Sequence, residues 1–265
     1  GPGGGLYTAH RGGGGGHGGS GGDGWSGYGG PEHDSFSWPT QAGSGGGGGN
    51  DYRAGPGGGV IRIESTGIVT MNGTLTANAG NAGDYGGGGA GGSIAISCQR
   101  FDGSASGLIS ANGGLPANNS GGGAGGRIAV LFDPAQQTNN PWVRFSTQPG
   151  SGYYNGQPGT VYFSSPALLP TVITNRLYNS VRFYAAGFTN WAPDSLTITN
   201  ASLSFGGDGF ALAPTNDVVI GPGGSFCLRA NQTLSCRDLR LTTNATLYTY
   251  KIGRASCRER VCYVV

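Results

Sequence analysis

The sequence predicts an all-β chain whose short strands stack as a parallel β-solenoid. A glycine tract that runs into an alternating apolar segment returns at a fixed spacing, which is typical of a repeat architecture. The apolar segments are short and alternate with period two, and no segment of useful length has the period of a helix. Glycine makes up 58 of the 265 residues and hydrophobic residues only 36%, so we expect a narrow core shared between stacked turns.

Residues 1–165 are predicted to form repeats of about 33–34 residues. The stretch at 86–97 reads Gly-Gly-Gly-Gly-Ala-Gly-Gly-Ser-Ile-Ala-Ile-Ser and returns almost unchanged at 121–131. Each repeat has a first strand, a turn and a second strand, and a glycine-rich excursion then leads to the next first strand. If the excursions are ordered, we expect them to pack side by side as polyproline-II-like chains in a second layer without side chains. Equivalent positions in the first strands are Ile61, Ile94, Ile128 and Val161.

The spacing shortens between 166 and 250, where the predicted strands return every 21–23 residues. Leu196, Val218 and Leu239 occupy one equivalent position. Residues 166–193 are strand-like and are expected to join the two kinds of repeat through one irregular turn. An antiparallel sandwich is the alternative fold, because it also has short strands separated by turns. The constant spacing favours the solenoid, since a sandwich seldom keeps a fixed register over successive units.

The repeats resemble secreted right-handed parallel β-helix proteins, namely the pectin-lyase-like class and the passenger regions of bacterial adhesins. The motifs Gly-Gly-Ala-Gly-Gly-x-Ile-Ala-Ile/Val and Ser-Ala-Asn-Gly-Gly carry this resemblance, which covers about residues 5–250. The resemblance implies an all-β, right-handed parallel β-helix with glycine-rich loop excursions. It also implies a secreted, extracellular or cell-surface location, and either polysaccharide cleavage or adhesion and scaffolding.

The C-terminal residues resemble something other than a natural protein segment. Ile-Gly-Arg-Ala-Ser-Cys-Arg-Glu-Arg-Val at 252–261 reads like one translated frame of a common sequencing adapter. We therefore expect 251–265 to be a non-native tail and leave it out of the fold prediction. The remainder has no initiator methionine and no signal peptide, so we expect a fragment of a longer bacterial chain of metagenomic origin.

Charge and hydropathy give no support to several classes of partner. Residues 252–265 carry three arginines and one glutamate, so without them the formal net charge is 0 instead of +2. Net charge therefore gives no argument for a nucleic acid or an anionic membrane as partner. No stretch approaches the ~18 consecutive apolar residues of a membrane span. The glycine tracts also lack the Gly-Lys-Ser/Thr sequence of a phosphate-binding loop.

The excursion at 12–54 is the longest in the chain and is the predicted ligand site. It places aromatic residues next to short polar side chains, a combination that binds sugars through ring stacking and directional hydrogen bonds. The alternative is that these aromatics fix a glycine-rich loop onto the sheet, because ordering so much glycine costs conformational entropy. The predicted ligand-binding residues are Trp25, Tyr28, His33, Asp34 and Trp38.

Two further sites are weaker predictions. Residues 18–25 match most of the calcium nonapeptide Gly-Gly-x-Gly-x-Asp-x-apolar-x, which makes Asp23 a candidate calcium ligand. No second copy of the motif follows, so we predict no required cofactor and keep Ca²⁺ as the one candidate. Without the tail only three cysteines remain, too few for a zinc site. Cys227 and Cys236 could form a disulfide in an oxidising compartment or stay as buried thiols.

The predicted function is that of a secreted or cell-surface scaffold or adhesin, which binds a polysaccharide or a cell-surface glycan through 12–54. No enzymatic activity is predicted, because the acidic residues outside the tail are scattered singly, apart from Glu32 and Asp34. These two lie in a loop predicted to be flexible, which is a poor place for precise geometry. The alternative is a polysaccharide-active lyase or glycosidase of the β-helix type, whose turnover would depend on Glu32 or Asp34.

Overall fold

The computed structural model describes residues 2–6, 11–48, 53–249 and the two-residue strand at 263–264. Within these residues the chain is all-β, and the only helix is a short 3-10 turn at Pro166–Leu168. No helix in these ranges is therefore long enough to cross a membrane. Most of the predicted tail, 251–262 and 265, lies outside the described residues.

The strands are short, as predicted, and most of them have two to five residues. In chain order they are β1 (Val60–Glu64), β2 (Ile68–Met71), β3 (Thr74–Thr76), β4 (Ser93–Ser97), β5 (Arg100–Gly103), β6 (Leu108–Ser110), β7 (Arg127–Leu131), β8 (Arg144–Ser146), β9 (Gly159–Phe163), β10 (Val172–Ile173), β11 (Tyr178–Ala185), β12 (Asn190–Trp191), β13 (Leu196–Ile198), β14 (Ser202–Phe205), β15 (Ala211–Leu212), β16 (Asp217–Ile220), β17 (Ser225–Leu228), β18 (Thr233–Leu234), β19 (Asp238–Leu241), β20 (Thr246–Thr249) and β21 (Tyr263–Val264).

The strands stack in four parallel sheets. The long sheet has eleven strands, with a main column in the order β1-β4-β7-β9-β11-β14-β17-β20 and a side column β3-β6-β8 that joins it at β11. Two four-stranded sheets follow the orders β10-β13-β16-β19 and β12-β15-β18-β21, and β2 pairs with β5. All these pairings are parallel, so the alternative prediction of an antiparallel sandwich is wrong.

The register follows the predicted spacing in both halves of the chain. Ile94 pairs with Ile61 on one side and with Ile128 on the other. In the second half, Val218 pairs with Leu196 and with Leu239. The equivalent positions read from the sequence are therefore direct neighbours in the sheets, because each repeat adds one strand to each column.

The long strand β11 marks the change between the two kinds of repeat. In the preceding repeat, the glycine-rich residues 147–158 separate Ser146 of β8 from Gly159 of β9. In β11 the partners of these two residues, Asn179 and Val181, are separated by a single bulged residue. The glycine-rich excursion is thus an insertion into one strand of the long sheet, and its loss after β9 shortens the repeat.

The core lies behind the long sheet and contains the inward side chains of successive strands. Phenylalanines form a continuous series along it, with ring centroids 5.3–6.3 Å apart. All of these rings are almost completely buried, so each repeat completes the apolar surface of the one before it. The series is Phe145, Phe163, Phe183, Phe205 and Phe226.

The glycine tracts form a second layer that is nearly free of side chains, as expected. Its three tracts contain His17, Ala90 and Ala124 as their non-glycine residues. The glycine layer consists of three buried tracts, 12–18, 86–92 and 121–126, together with the extended segments hydrogen-bonded to them. Consecutive residues of a tract donate to different neighbours, and every third residue returns to the same neighbour, which is the period of a polyproline-II helix. From tract 121–126, Gly121 and Ala124 donate to Gly12 and Gly15, Gly122 and Gly125 to Tyr154 and Gln157, and Gly123 and Gly126 to Gly114 and Ala111.

Glycine is required in the layer because neighbouring backbones touch. A Cβ atom built on Gly12, Gly121 or Gly123 would lie 1.8 Å from a carbonyl oxygen of the adjacent segment. Tract 12–18 is itself buried among the other tracts. The expectation of a flexible loop is therefore wrong for this part of 12–54, because its backbone is hydrogen-bonded and enclosed.

Candidate functional site

Residues 31–41, called the strap, cross the face of the long sheet that points away from the core. The strap contacts outward side chains of five successive strands of the main column, from β1 to β11. These contacts combine hydrogen bonds, ion pairs and ring stacking. The strap carries three of the predicted ligand-binding residues, so its geometry decides what each of them can do.

Glu32 of the strap forms ion pairs with two buried arginines. Its carboxylate accepts hydrogen bonds from Arg127 and from Arg182, each at 3.1 Å, and both arginine side chains are only 3% exposed. Burial lowers the pKa of Arg127, and the charge of Glu32 opposes this shift. Removing one partner of such a buried pair leaves an uncompensated charge. Glu32 is therefore fully engaged in holding the strap to the sheet.

Three side chains of the types found in a hydrolytic triad meet beneath the strap. His17 Nε2 lies 3.3 Å from Ser93 Oγ and 3.6 Å from Asp34 Oδ2, while its Nδ1 lies 2.8 Å from the carbonyl oxygen of Gly91. A triad needs the acid and the nucleophile on opposite ring nitrogens. Ser93 also donates its proton to the Gln41 carbonyl at 2.5 Å, and both Ser93 and His17 are completely buried. The cluster is a structural network.

Asp34 stabilises the turn of the strap. Its carboxylate accepts backbone hydrogen bonds from Ser35, Thr40 and Gln41 at 2.8–2.9 Å. Burial alone would raise the pKa of Asp34, but these hydrogen bonds and the nearby His17 lower it below its usual value. The backbone of Asp34 has φ = 69°, a left-handed conformation that aspartate tolerates in turns.

His33 is the neighbour of Asp34, and its ring packs 4.8 Å from that of His17. Both of its ring nitrogens are buried and make no hydrogen bond. The side chains of the predicted ligand residues His33 and Asp34 thus lie on the side of the strap that faces the sheet. Neither lines the surface cleft described below.

The aromatic residues of the strap also face the sheet. Phe36 stacks on Tyr184, with ring centroids 4.5 Å apart, and contacts Tyr162 at 5.8 Å. Trp38, a predicted ligand residue, packs against the guanidinium of Arg62 at 5.1 Å. For these two residues the structure agrees with the alternative interpretation, in which aromatics fix a glycine-rich segment onto the sheet.

The other two predicted ligand residues form an exposed aromatic cleft. Trp25 and Tyr28 are 69% and 62% exposed, and they line a cleft of about 310 Å³ with Tyr153 and Tyr154, which are 50% and 56% exposed. The rings of Tyr153 and Tyr154 are nearly perpendicular, with centroids 5.0 Å apart. Large rings left open to solvent around one concave surface are typical of a binding site.

The glycine layer brings the two sides of the aromatic cleft together. Gly22 donates to the carbonyl of Gly122, and Gly122 donates to the carbonyl of Tyr154. Tract 121–126 therefore lies between the segment that leads to Trp25 and the segment that carries Tyr154, and it holds both. A tight turn closed by the hydrogen bond from Gly24 to Gly27 then projects Trp25. The cleft is therefore built on hydrogen-bonded backbone.

Arg11 supports the aromatic cleft from outside its lining. Its guanidinium packs against the ring of Trp25 at 5.6 Å and against that of Tyr85 at 4.9 Å, and it donates to the carbonyl of Asn118. Such cation–π contacts restrict an exposed ring and reduce the entropy that a ligand must remove.

Asp23 lies at the rim of the same cleft. Its carboxylate accepts a hydrogen bond from the backbone of Gly29 at 2.8 Å. No group of three or more His, Cys, Asp or Glu side chains in the described ranges is arranged to hold a metal ion, so Asp23 has no cluster of partner ligands there. Calcium binding by Asp23 stays a prediction.

The predicted disulfide between Cys227 and Cys236 is absent from the described residues. Cys227 lies in β17 of the long sheet, whereas Cys236 lies between β18 and β19, which belong to other sheets. The two residues are in the same repeat and do not stack on each other. Burial raises the pKa of the Cys236 thiol.

Tyr153 and Tyr154 were not among the residues predicted from the sequence, although they interrupt the glycine-rich return of the third repeat as aromatic residues. That interruption is the signal that could have found them, because close packing inside the layer leaves little room for large side chains.

Comparisons of the chain with protein-family models, with curated proteins and with solved structures found no match.

Proposed function

We propose that the chain is a secreted or cell-surface scaffold of the right-handed parallel β-helix type, and that it binds glycans through the aromatic cleft. The parallel, stacked sheets are compatible with a β-helix. The observation that carries the proposed binding function is the exposure of four aromatic rings around one cleft. Aromatic rings that are open to solvent lack the apolar burial that stabilises such rings elsewhere in the chain, and a ligand that covers them would supply it.

The chemistry of the cleft suits an uncharged sugar. The apolar faces of Trp25 and Tyr28 can stack on the C–H face of a pyranose ring, and the phenol groups of Tyr153 and Tyr154 can donate or accept hydrogen bonds. Asp23 is the acidic side chain in the lining, and it would repel uronic or sialic acids. A cleft of about 310 Å³ has room for one or two sugar rings.

The proposal is tested by a glycan array followed by calorimetric titration with the best neutral oligosaccharide. Trp25→Ala combined with Tyr154→Ala removes one ring from each side of the cleft, and we expect the affinity to fall about tenfold or more. Trp142→Ala is the matched control, because Trp142 is also 50% exposed and lies outside the cleft lining. Equal affinities for the wild type and the double variant would contradict the proposal.

No observation favours the alternative of a polysaccharide-active enzyme. The two carboxylates that it would use, Glu32 and Asp34, are occupied by buried arginines and by backbone N–H groups. A general acid or base must reach the proton that it transfers. Release of reducing sugar or of unsaturated product, lost in Glu32→Gln or Asp34→Asn at unchanged melting temperature, would establish the enzyme instead.

A further inference from the structure

The first repeat of the long sheet has an edge that no strand of the described ranges covers. Within the described ranges β1 pairs only with β4, β2 only with β5, and β3 only with β6. Apolar side chains at this edge are only partly buried: Ile61 is half-buried, whereas its register neighbours Ile94 and Ile128 have no exposed surface. Val60 and Ile68 are 45% and 51% exposed. The edge therefore presents apolar side chains and strand backbone to solvent.

A glycine immediately precedes or begins each first strand, for a reason that the structure makes plain. A Cβ on Gly92 would lie 1.9 Å from the carbonyl oxygen of Gly59 in the preceding repeat. The same distance is 2.1 Å from Gly126 to Gly92, and 2.0 Å from Gly159 to Gly126. In these three repeats the position must be glycine because the backbone of the previous repeat lies against it.

Gly59 is the exception in this series. Nothing in the described chain lies within 4 Å of a Cβ built on it, and its φ is outside the left-handed range. Neither close packing nor backbone conformation inside the described chain therefore requires glycine at Gly59. The one contact that would require it is the contact seen in the next three repeats, a backbone carbonyl of a further repeat.

We propose that the edge formed by β1, β2 and β3 binds a further glycine-rich β-repeat of the 33–34-residue type. This repeat would pair in parallel with β1, place a backbone carbonyl against Gly59, and cover Ile61 and Val60. Addition of a strand to an exposed edge is a known mode of peptide recognition. A single repeat cannot bury its apolar face alone, so its folding is coupled to docking.

A second copy of this chain fits the edge less well. Its opposite end is formed by β19, β20 and β21, and β19 and β20 belong to the shorter repeats without a glycine tract. Such an end could pair with β1 but would leave the glycine layer uncovered. The spacing of 33–34 residues and the glycine tract together specify the partner.

The test uses a fluorescent peptide that copies residues 86–114, because the edge of β4 that would face β1 is the one that already pairs in parallel with β7. Binding to the whole chain is followed by anisotropy, with a scrambled peptide as control. Gly59→Val should weaken binding about tenfold or more, because its side chain occupies the place of the carbonyl. The melting temperature should not change, since this side chain meets nothing in the unbound protein.

Gly67→Gln is the matched control for the Gly59 substitution. Gly67 also has nothing within 4 Å of its Cβ, but the equivalent position of the next repeat is Gln99, so a side chain is compatible with stacking there. We expect this variant to bind the peptide as the wild type does. If Gly59→Val proves unstable, Gly59→Ala takes its place.

Three results would overturn the proposal. One is a failure of the wild type to bind the peptide above the level of the scrambled control. Another is equal binding by wild type and the Gly59 variant. The third is concentration-dependent self-association that buries the edge and excludes the peptide, since this would make a second copy the occupant. None of these results bears on glycan binding, because the edge and the aromatic cleft share no residue.

Discussion

Glycine has different physical roles in the two halves of the chain. In the glycine layer of the first half, residues such as Gly123 are needed because a Cβ would overlap a neighbouring carbonyl oxygen. In the second half, Gly187, Gly207 and Gly209 have φ between +65° and +90°, and nothing lies within 4 Å of their Cβ positions. The first group is selected by space and the second by backbone conformation.

This difference shows two ways of joining successive repeats. After β9 the repeats are held by stacked side chains, such as Phe183 against Phe205 with centroids 6.3 Å apart. In the first half a second set of contacts is added, in which backbones are hydrogen-bonded in three directions. Each such hydrogen bond contributes about 1 kcal/mol net, so a layer of many of them can offset the entropy of ordering glycine.

The largest expected effect comes from filling the space in the layer. Gly123→Ala places a methyl group 1.8 Å from the Gly89 carbonyl oxygen, and no side-chain rotation can relieve the overlap. We expect a loss of about 3 kcal/mol in the free energy of unfolding. Gly187→Ala should cost only about 1 kcal/mol, because it strains the backbone without any overlap. Chemical denaturation of both variants measures the difference.

Asparagine sharpens the same comparison, because it tolerates the left-handed conformation. Gly187→Asn should be close to the wild type in stability, whereas Gly123→Asn should be at least as unstable as Gly123→Ala. Similar stabilities for the two asparagine variants would show that the layer is not closely packed.

The second expected effect comes from the ionisable side chain inside the layer. Burial lowers the pKa of His17 from its ordinary 6.5 to about 4, the Gly91 carbonyl opposes this shift, His33 and Arg127 add to it, and Asp34 opposes it. The unfolded chain therefore binds a proton near pH 6.5, whereas the folded chain does not until about pH 4. Stability should fall as pH decreases through this window, by about 2 kcal/mol between pH 7 and pH 5.

His17→Asn is the control for this pH dependence. Its amide can still donate to the Gly91 carbonyl, but it does not titrate. Denaturation at pH 7 and at pH 5 should then give closer unfolding free energies than in the wild type. An unchanged pH dependence would assign the effect to other groups.

The smallest expected effect is a difference in amide exchange between the layer and the sheet. The N–H groups of Gly88, Gly91 and Ala124 donate to carbonyls at 2.9–3.0 Å, and these residues are buried. We expect their exchange rates to be similar to those of the β4 amides, because both open with the folded unit. Fast exchange of the layer beside a protected sheet would show that the tracts are not ordered.

The fold could be predicted from the sequence because the repeat fixes which residues are neighbours. The spacing of Ile61, Ile94 and Ile128 gives the register directly, since one repeat adds one strand to the main column. The layer could be expected for a related reason, because a run of glycine between two strands can pack closely only against another such run.

The aromatic cleft was only half predicted. Trp25 and Tyr28 are separated by two residues, so their proximity can be read from the sequence. Tyr153 and Tyr154 are more than a hundred positions away, and they reach the cleft through the hydrogen bonds of Gly22 and Gly122. The order in which the tracts pack cannot be read from the sequence, because the runs of glycine are nearly identical to one another. The engagement of Glu32 by Arg127 and Arg182 was missed for the same reason.

The nearly bare backbone of the glycine layer has a thermodynamic consequence. Exposure of apolar surface raises the heat capacity on unfolding, whereas exposure of polar amide groups lowers it. The layer buries mainly amides, and the sheets after β9 bury aliphatic and aromatic groups. The chain should therefore have a smaller heat-capacity change per residue than a conventional domain. Its stability curve should accordingly be flatter, with less weakening in the cold.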